Sequence, residues 1–165
     1  MNPSINNYFL SVDEEFMREA KKEAELAYLE GEVPVGAVLV RNGEVIARAH
    51  NTREASFSAT AHAETVAIES ACEVMRSWRL SDTTLYVTLE PCPMCAGAIV
   101  NARISRVVFG AYDASMGAMG SVLNLVRYPL PFTPTVTGGL LEQECAALLT
   151  RFFEEQRRNK SKRIT

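Results

Sequence analysis

The stretch Pro91-Cys92-Pro93-Met94-Cys95 constrains this chain more than any other, because its two thiols stand three residues apart where a strand pattern hands over to a helix pattern. Thr83 to Leu89 is rich in β-branched and aromatic residues and reads as a strand, while Pro93 to Ala102 reads as a short helix with proline at its first position. Positions i and i+3 share a helix face, so Cys92 at the cap and Cys95 one turn on can grip one ion. The partial positive charge at a helix N-terminus favours thiolate over thiol there. A fold that uses this pair must bring the end of a strand and the start of a helix to one point.

The chain has only two histidines, His50 and His62, and His62 stands in Ala61-His62-Ala63-Glu64. His62, Cys92 and Cys95 make three ligands. An ion that activates water needs an open fourth position, whereas a structural zinc is closed by four protein ligands. Glu64 is then a candidate catalytic acid and base that does not itself ligate. Residues two apart point to nearly opposite sides of an ideal helix, so His62 and Glu64 serve one site only where their helix meets it end-on. Thr60 is the predicted cap of a helix from about Ala61 to Met75, which allows that approach. A redox Cys-x-x-Cys pair would account for the thiols and leave His62 and Glu64 without a purpose. A structural zinc would need a fourth ligand from Cys72, Cys145 or His50, and neither cysteine has a partner at finger-like spacing.

The rest of the chain reads as a frame for this point. Ser11 and Glu14 form a capping-box pattern, followed by Phe16, Ala20, Ala24 and Ala27 at helical spacing until Gly31. Val35 to Val40 and Glu44 to Ala49 flank Asn42-Gly43, which predicts a two-residue hairpin. The predicted inner face of the His62 helix carries Ala63, Val66, Ala67, Ser70, Ala71 and Val74. Ile104 to Phe109 and Thr135 to Thr137 read as further strands, and Leu141 to about Arg158 as a last helix. Strands alternating with helices after an opening hairpin predict an α/β fold, a mixed sheet with helices on both faces, in one domain spanning residues 1–165.

No apolar run approaches the ~20 residues of a membrane span, and Met1 to Leu10 lacks the basic and apolar regions of a signal peptide, so a cytoplasmic protein is expected. Cys72 and Cys145 sit in apolar helical stretches and read as core residues. The net charge of −3 excludes a protein that coats nucleic acid by bulk charge. Its distribution is uneven: from Asp13 to Glu32 there are eight acids and three bases, and from Arg151 to Thr165 six bases and two acids. The basic tail, about residues 157–165, is either a phosphate-contacting surface or a solvated helix end whose cations complement the helix dipole.

From roughly Glu14 to Phe153 the chain resembles the bacterial tRNA adenosine deaminases of the cytidine-deaminase-like superfamily. The resemblance is carried by Glu32 through Val38, Ala49-His50-Asn51, Thr60-Ala61-His62-Ala63-Glu64, Trp78-Arg79-Leu80, Leu85 through Cys92, Arg106 through Ala111, Gly120-Ser121 and Phe152-Phe153. It implies a three-layer α/β/α cytidine-deaminase-like fold with a mixed five-stranded sheet and one Zn2+ per subunit. It also implies conversion of adenosine to inosine at the wobble position of a tRNA anticodon loop, in a homodimer. By the resemblance Asn51 bonds the purine, Ala61 and Pro91 line the base pocket, and Asp113 contacts a flanking ribose or base. Phe153 and Arg157 on the last helix face the RNA. Two departures bear on RNA contacts and leave the zinc chemistry untouched. Pro131-Phe132 replaces the family's usual Asn-His pair in a segment with three prolines, and Tyr112 precedes Asp113. Cys92-Pro93-Met94-Cys95 also occurs in related guanine deaminases, so a free nucleobase or nucleoside deaminase, of guanine or cytosine type, is the alternative.

Overall fold

The computed structural model describes residues 3–162, with side chains from residue 11 onward. Five strands form one mixed sheet in the order β2-β1-β3-β4-β5. They are β1 (Gly36–Arg41), β2 (Glu44–His50), β3 (Thr83–Leu89), β4 (Arg106–Ala111) and β5 (Thr135–Thr137). β1 pairs antiparallel with β2 and β3, while β3–β4 and β4–β5 are parallel. Helices α1 (Pro3–Leu29) and α5 (Glu142–Lys162) cover one face. Helices α3 (Ala63–Met75) and α4 (Pro93–Ala102) cover the other, and a single turn, α2 (Arg53–Ser56), precedes α3. The result is the three-layer α/β/α arrangement with a five-stranded mixed sheet.

Local chemistry explains the hairpin. Asn42 and Gly43 adopt φ of 52° and 79°, the two positive values that a tight turn of this hand requires. The α1 stripe is also as spaced: Ala20, Ala24 and Ala27 are fully buried, and Met17 joins them. Asp13 ties α1 to the sheet beneath, accepting bonds from both Arg106 guanidinium nitrogens (2.8 and 2.6 Å) and from the Tyr86 hydroxyl (2.6 Å). Cys145 is buried as expected, and Cys72 is half-buried against the core.

Several element boundaries differ from the sequence reading. α1 begins at Pro3, so Ser11 and Glu14 lie inside a helix rather than capping one. α3 begins two residues late, with His62 rather than Thr60 at its cap. α3 is also turned about its axis so that Glu64 and Ile68 face inward, and Val74 in its last turn is 62 % exposed. Alanine, valine and isoleucine occur all round this helix, so periodicity alone could not choose the buried face. β4 starts at Arg106 rather than Ile104 because Arg103 takes a left-handed conformation (φ 59°) and closes α4. Its N–H bonds Val100 O and that of Ile104 bonds Ile99 O, which assigns Ile104 to the helix stop. α5 continues past Arg158 to Lys162, and residues 163–165 of the basic tail lie outside the described residues.

Candidate metal centre and catalytic cavity

Helices α3 and α4 present their first residues to the same point. His62 caps α3 and Cys92 caps α4, both with extended backbone and neither making a side-chain capping bond. His62 Nδ1 lies 3.7 Å from Cys92 Sγ and 3.6 Å from Cys95 Sγ. Among the described residues these three are the group able to hold a metal ion, their ligand atoms all within 4.8 Å of one another. Zinc–nitrogen bonds of ~2.0–2.1 Å and zinc–sulfur bonds of ~2.3 Å, at a tetrahedral angle, separate nitrogen from sulfur by about 3.6 Å. The donor set and its spacing therefore fit zinc.

The protein groups alone already favour a thiolate. Hydrogen bonds from Cys95 and then His62 overcome burial and hold the Cys92 thiol down at about 4. Cys95 is pushed far up, first by that same contact with Cys92 and then by burial, and His62 is raised mainly by its bond to Cys92. A cation that enters the cluster takes the place of these shared protons. Glu64 is buried beside the ligands, 4 % exposed, and burial lifts its carboxyl to about 7, with the Cys92 sulfur adding to the rise.

Asn51 organises the start of α3. Its Oδ1 accepts from the Ala63 N–H (2.8 Å), and its Nδ2 donates to Val33 O (3.0 Å). These partners can only donate and only accept, respectively, so they fix which way the amide points. Asn51 thus supplies the cap bond that His62 does not make, and one Nδ2–H is left over for a ligand.

A cavity of about 240 Å³ opens over the cluster, lined by Asn51, His62, Glu64, Cys92 and Asp113, with Val33, Val35, Arg53, Leu89, Glu90 and Met116 completing its walls. Ala61 and Pro91 stand next to the ligands His62 and Cys92: Ala61 is half-buried, and Pro91 is buried with its carbonyl accepting from the Ala118 N–H. Asp113 is at the wall, but its Oδ1 already accepts from Ser115 N–H and hydroxyl and from Met116 N–H. Phe153 and Arg157 lie away from the cavity, on an α5 surface shared with Gln156, Asn159 and Lys160. A second hollow, lined by Val33, Asn51, Arg53, Glu54, Phe152 and Gln156, bridges the two. Tyr112 packs edge-on against Phe109, ring centroids 5.1 Å apart, and the Tyr128–Pro134 segment does not border the cavity. Arg53, Glu90 and Met116 were not among the residues expected from sequence. Arg53 and Met116 carry no local signal, whereas Glu90 does, as a lone acid closing an apolar strand.

Three metal donors with an acid buried beside them are the groups that a metal-dependent hydrolase needs, since a bound ion would activate water there. The model of the cytidine and deoxycytidylate deaminase zinc-binding region matches residues 10–111. A tRNA-specific adenosine deaminase of Bacillus subtilis (strain 168) is 51 % identical over 152 residues, 92 % of this chain and 94 % of the relative. A solved structure from a study of A-to-I editing by tRNA:A34 deaminases at the wobble position superposes with a TM-score of 0.80 and 46 % identity, covering 82 % of this chain and 99 % of the other. A guanine deaminase structure from Bacillus subtilis is more distant, with 30 % identity and a TM-score of 0.57 over 79 % of this chain and 88 % of that one. The chain belongs to the zinc-binding cytidine and deoxycytidylate deaminase family, in its tRNA-specific adenosine deaminase branch. Its metal is zinc.

Proposed function

We propose that the protein hydrolytically deaminates adenosine to inosine at the wobble position of a tRNA anticodon loop. The near full-length match to a tRNA-specific adenosine deaminase carries the choice of substrate. The cavity supports the chemistry. His62, Cys92 and Cys95 hold the zinc. When bound, the ion lowers the pKa of a coordinated water and so supplies a nucleophile at neutral pH. Glu64, buried beside the ligands, carries one proton of the attacking water to the purine ring nitrogen, where inosine keeps it, and the second, from the hydroxyl left on the attacked carbon, to the amino group that departs as ammonia. Asn51 holds the purine with its remaining Nδ2–H, and Asp113 closes the opposite wall and meets the flanking ribose or base.

The RNA path runs from the cavity over the hollow at Arg53 and Gln156 to Phe153 and Arg157 on α5. Phe153 is 43 % exposed, the geometry of a stacking platform, and α5 ends in Lys160 and Lys162. Anticodon-loop bases are read splayed and stacked, so this surface suffices at a net charge of −3. The enzyme acts as a cytoplasmic homodimer of one deaminase domain per chain. Support for the dimer comes from Val122, Leu123, Tyr128 and Leu130, large apolar side chains exposed within one segment. No helix among the described residues is long and apolar enough to cross a membrane.

The test is incubation of the purified zinc enzyme with an anticodon stem-loop bearing adenosine at the wobble position, alongside free guanine, cytosine and adenosine. Inosine in the stem-loop is expected. Turnover of a free base with no inosine in the RNA would overturn the reading in favour of a nucleobase deaminase.

A further inference from the structure

Glu90 is among the most completely buried side chains, 2 % exposed, and it stands between the last apolar residue of β3 and the metal-site proline. Its carboxylate faces four donors, all from one segment. Oε2 accepts from the Asp113 N–H (3.1 Å) and the Ser121 hydroxyl. Oε1 accepts from the N–H groups of Met119 (3.0 Å) and Ser121 (3.0 Å). A carboxylate offers about four lone-pair sites, and these bonds fill them. Glu90 borders the cavity but has no acceptor capacity left for substrate, metal or proton transfer.

The neighbouring backbone is fitted to this group. Glu90 N–H bonds Ala111 O, and Ala118 N–H bonds Pro91 O, so residues 111–121 are laid along residues 90–91. Gly117 is where they come closest: a Cβ there would stand 2.3 Å from Glu90 Oε2 and 2.6 Å from Asp113 O. The same segment carries Asp113 and Met116, which line the cavity together with Asn51.

We propose that Glu90 is a positioning residue for substrate binding: its carboxylate clamps residues 113–121 and thereby sets the Asp113–Met116 wall of the catalytic cavity. The inference concerns the cavity wall and rests on the deaminase reading only for the identity of the substrate. Glu90→Gln is the discriminating change. Its amide keeps one oxygen for the Met119 and Ser121 N–H groups and turns its NH₂ toward Oε2's former partners. The Ser121 hydroxyl can reverse and accept, whereas the Asp113 N–H cannot, so the Asp113 end of the clamp opens first.

In steady-state kinetics with the stem-loop, E90Q raises KM by about tenfold, leaves kcat within about twofold, and retains one zinc per subunit. S121A, which removes only the hydroxyl donor, raises KM by about two- to threefold and provides the same readout should E90Q fold poorly. Amide hydrogen exchange on E90Q shows Asp113 exchanging faster, with Met119 and Ser121 less changed. A fall in kcat at constant KM, loss of zinc, or parental kinetics in both variants would overturn the proposal. Should the parent enzyme leave the stem-loop untouched, the reading of its substrate fails, and the same KM split measured on whichever free base it deaminates decides the role of Glu90.

Discussion

Replacing Asn51 with alanine separates two consequences of one side chain, since Asn51 both caps α3 and lines the cavity. The substitution leaves the Ala63 N–H buried without its 2.8 Å partner and Val33 O without its 3.0 Å donor. A buried group left unsatisfied costs about 1–3 kcal/mol, and Val33 is only half-buried, so its carbonyl can recover a water. The expected loss is about 1–3 kcal/mol, a sizeable part of the ~5–15 kcal/mol typical of a folded protein. With a urea m-value of about 2 kcal/mol/M, the unfolding midpoint falls by about 0.5–1.5 M at fixed protein and zinc concentrations. Asn51→Asp should behave differently. Its carboxylate keeps the bond to Ala63 and suits the helix N-terminus, but sets an oxygen against Val33 O. The aspartate variant is therefore the more stable of the two, while both bind purine poorly. Equilibrium urea unfolding, zinc content and stem-loop turnover check this. An alanine variant within about 0.5 kcal/mol of the parent would refute the capping role.

Three further outcomes follow from the geometry. Glu64→Ala keeps its zinc and loses turnover by at least about 10²–10⁴-fold, the usual contribution of a positioned acid–base group, as metal analysis beside single-turnover kinetics will show. His62→Ala and Cys95→Ala each lose stoichiometric zinc, and chelation of the parent lowers its melting temperature, since metal-binding energy is also folding energy. At acidic pH the clamp at Asp13 fails. Burial raises this carboxyl, but bonds from Arg106 and Tyr86 and the guanidinium charge outweigh burial and hold it below its ordinary 3.8. A depressed carboxylate adds stability above its unfolded pKa and loses it as pH falls through the folded value. Arg106→Met therefore flattens the parent's loss of stability below about pH 4, measurable as unfolding midpoint against pH.

Much of the frame was legible because its signals are local. β3 and α4 run from Thr83 to Leu89 and from Pro93 to Ala102 as read from residue type and proline placement, and β5 is Thr135–Thr137. The differences fall at element ends, where a helix runs on past a cap pattern or its stop takes up the first residues of the next strand. The Ser11 and Glu14 capping box lies inside α1, and Ile104 is drawn into the helix stop after α4. For the site, the donor types and the Cys92–Cys95 spacing were visible, as was the requirement that His62 and Glu64 meet the metal end-on. Asn51 and Asp113 line the cavity over the donors, and Ala61 and Pro91 adjoin His62 and Cys92 in the chain.

Sequence by itself determined the chemistry available to this protein, because a thiol pair at helical spacing, one histidine and one acid limit what ion can bind and what it can do. Tertiary structure alone decided how those groups are presented. His62 reaches Cys92 across 30 positions in the chain only because α3 and α4 begin at the same end of the sheet. Asn51 caps a helix it does not belong to, and Glu90 holds a segment that starts 23 positions further on. Periodicity and propensity report what a residue does with its near neighbours. A buried amide or carboxylate is committed by whichever distant backbone groups the fold leaves unpaired, and those are known only once the chain has closed around them.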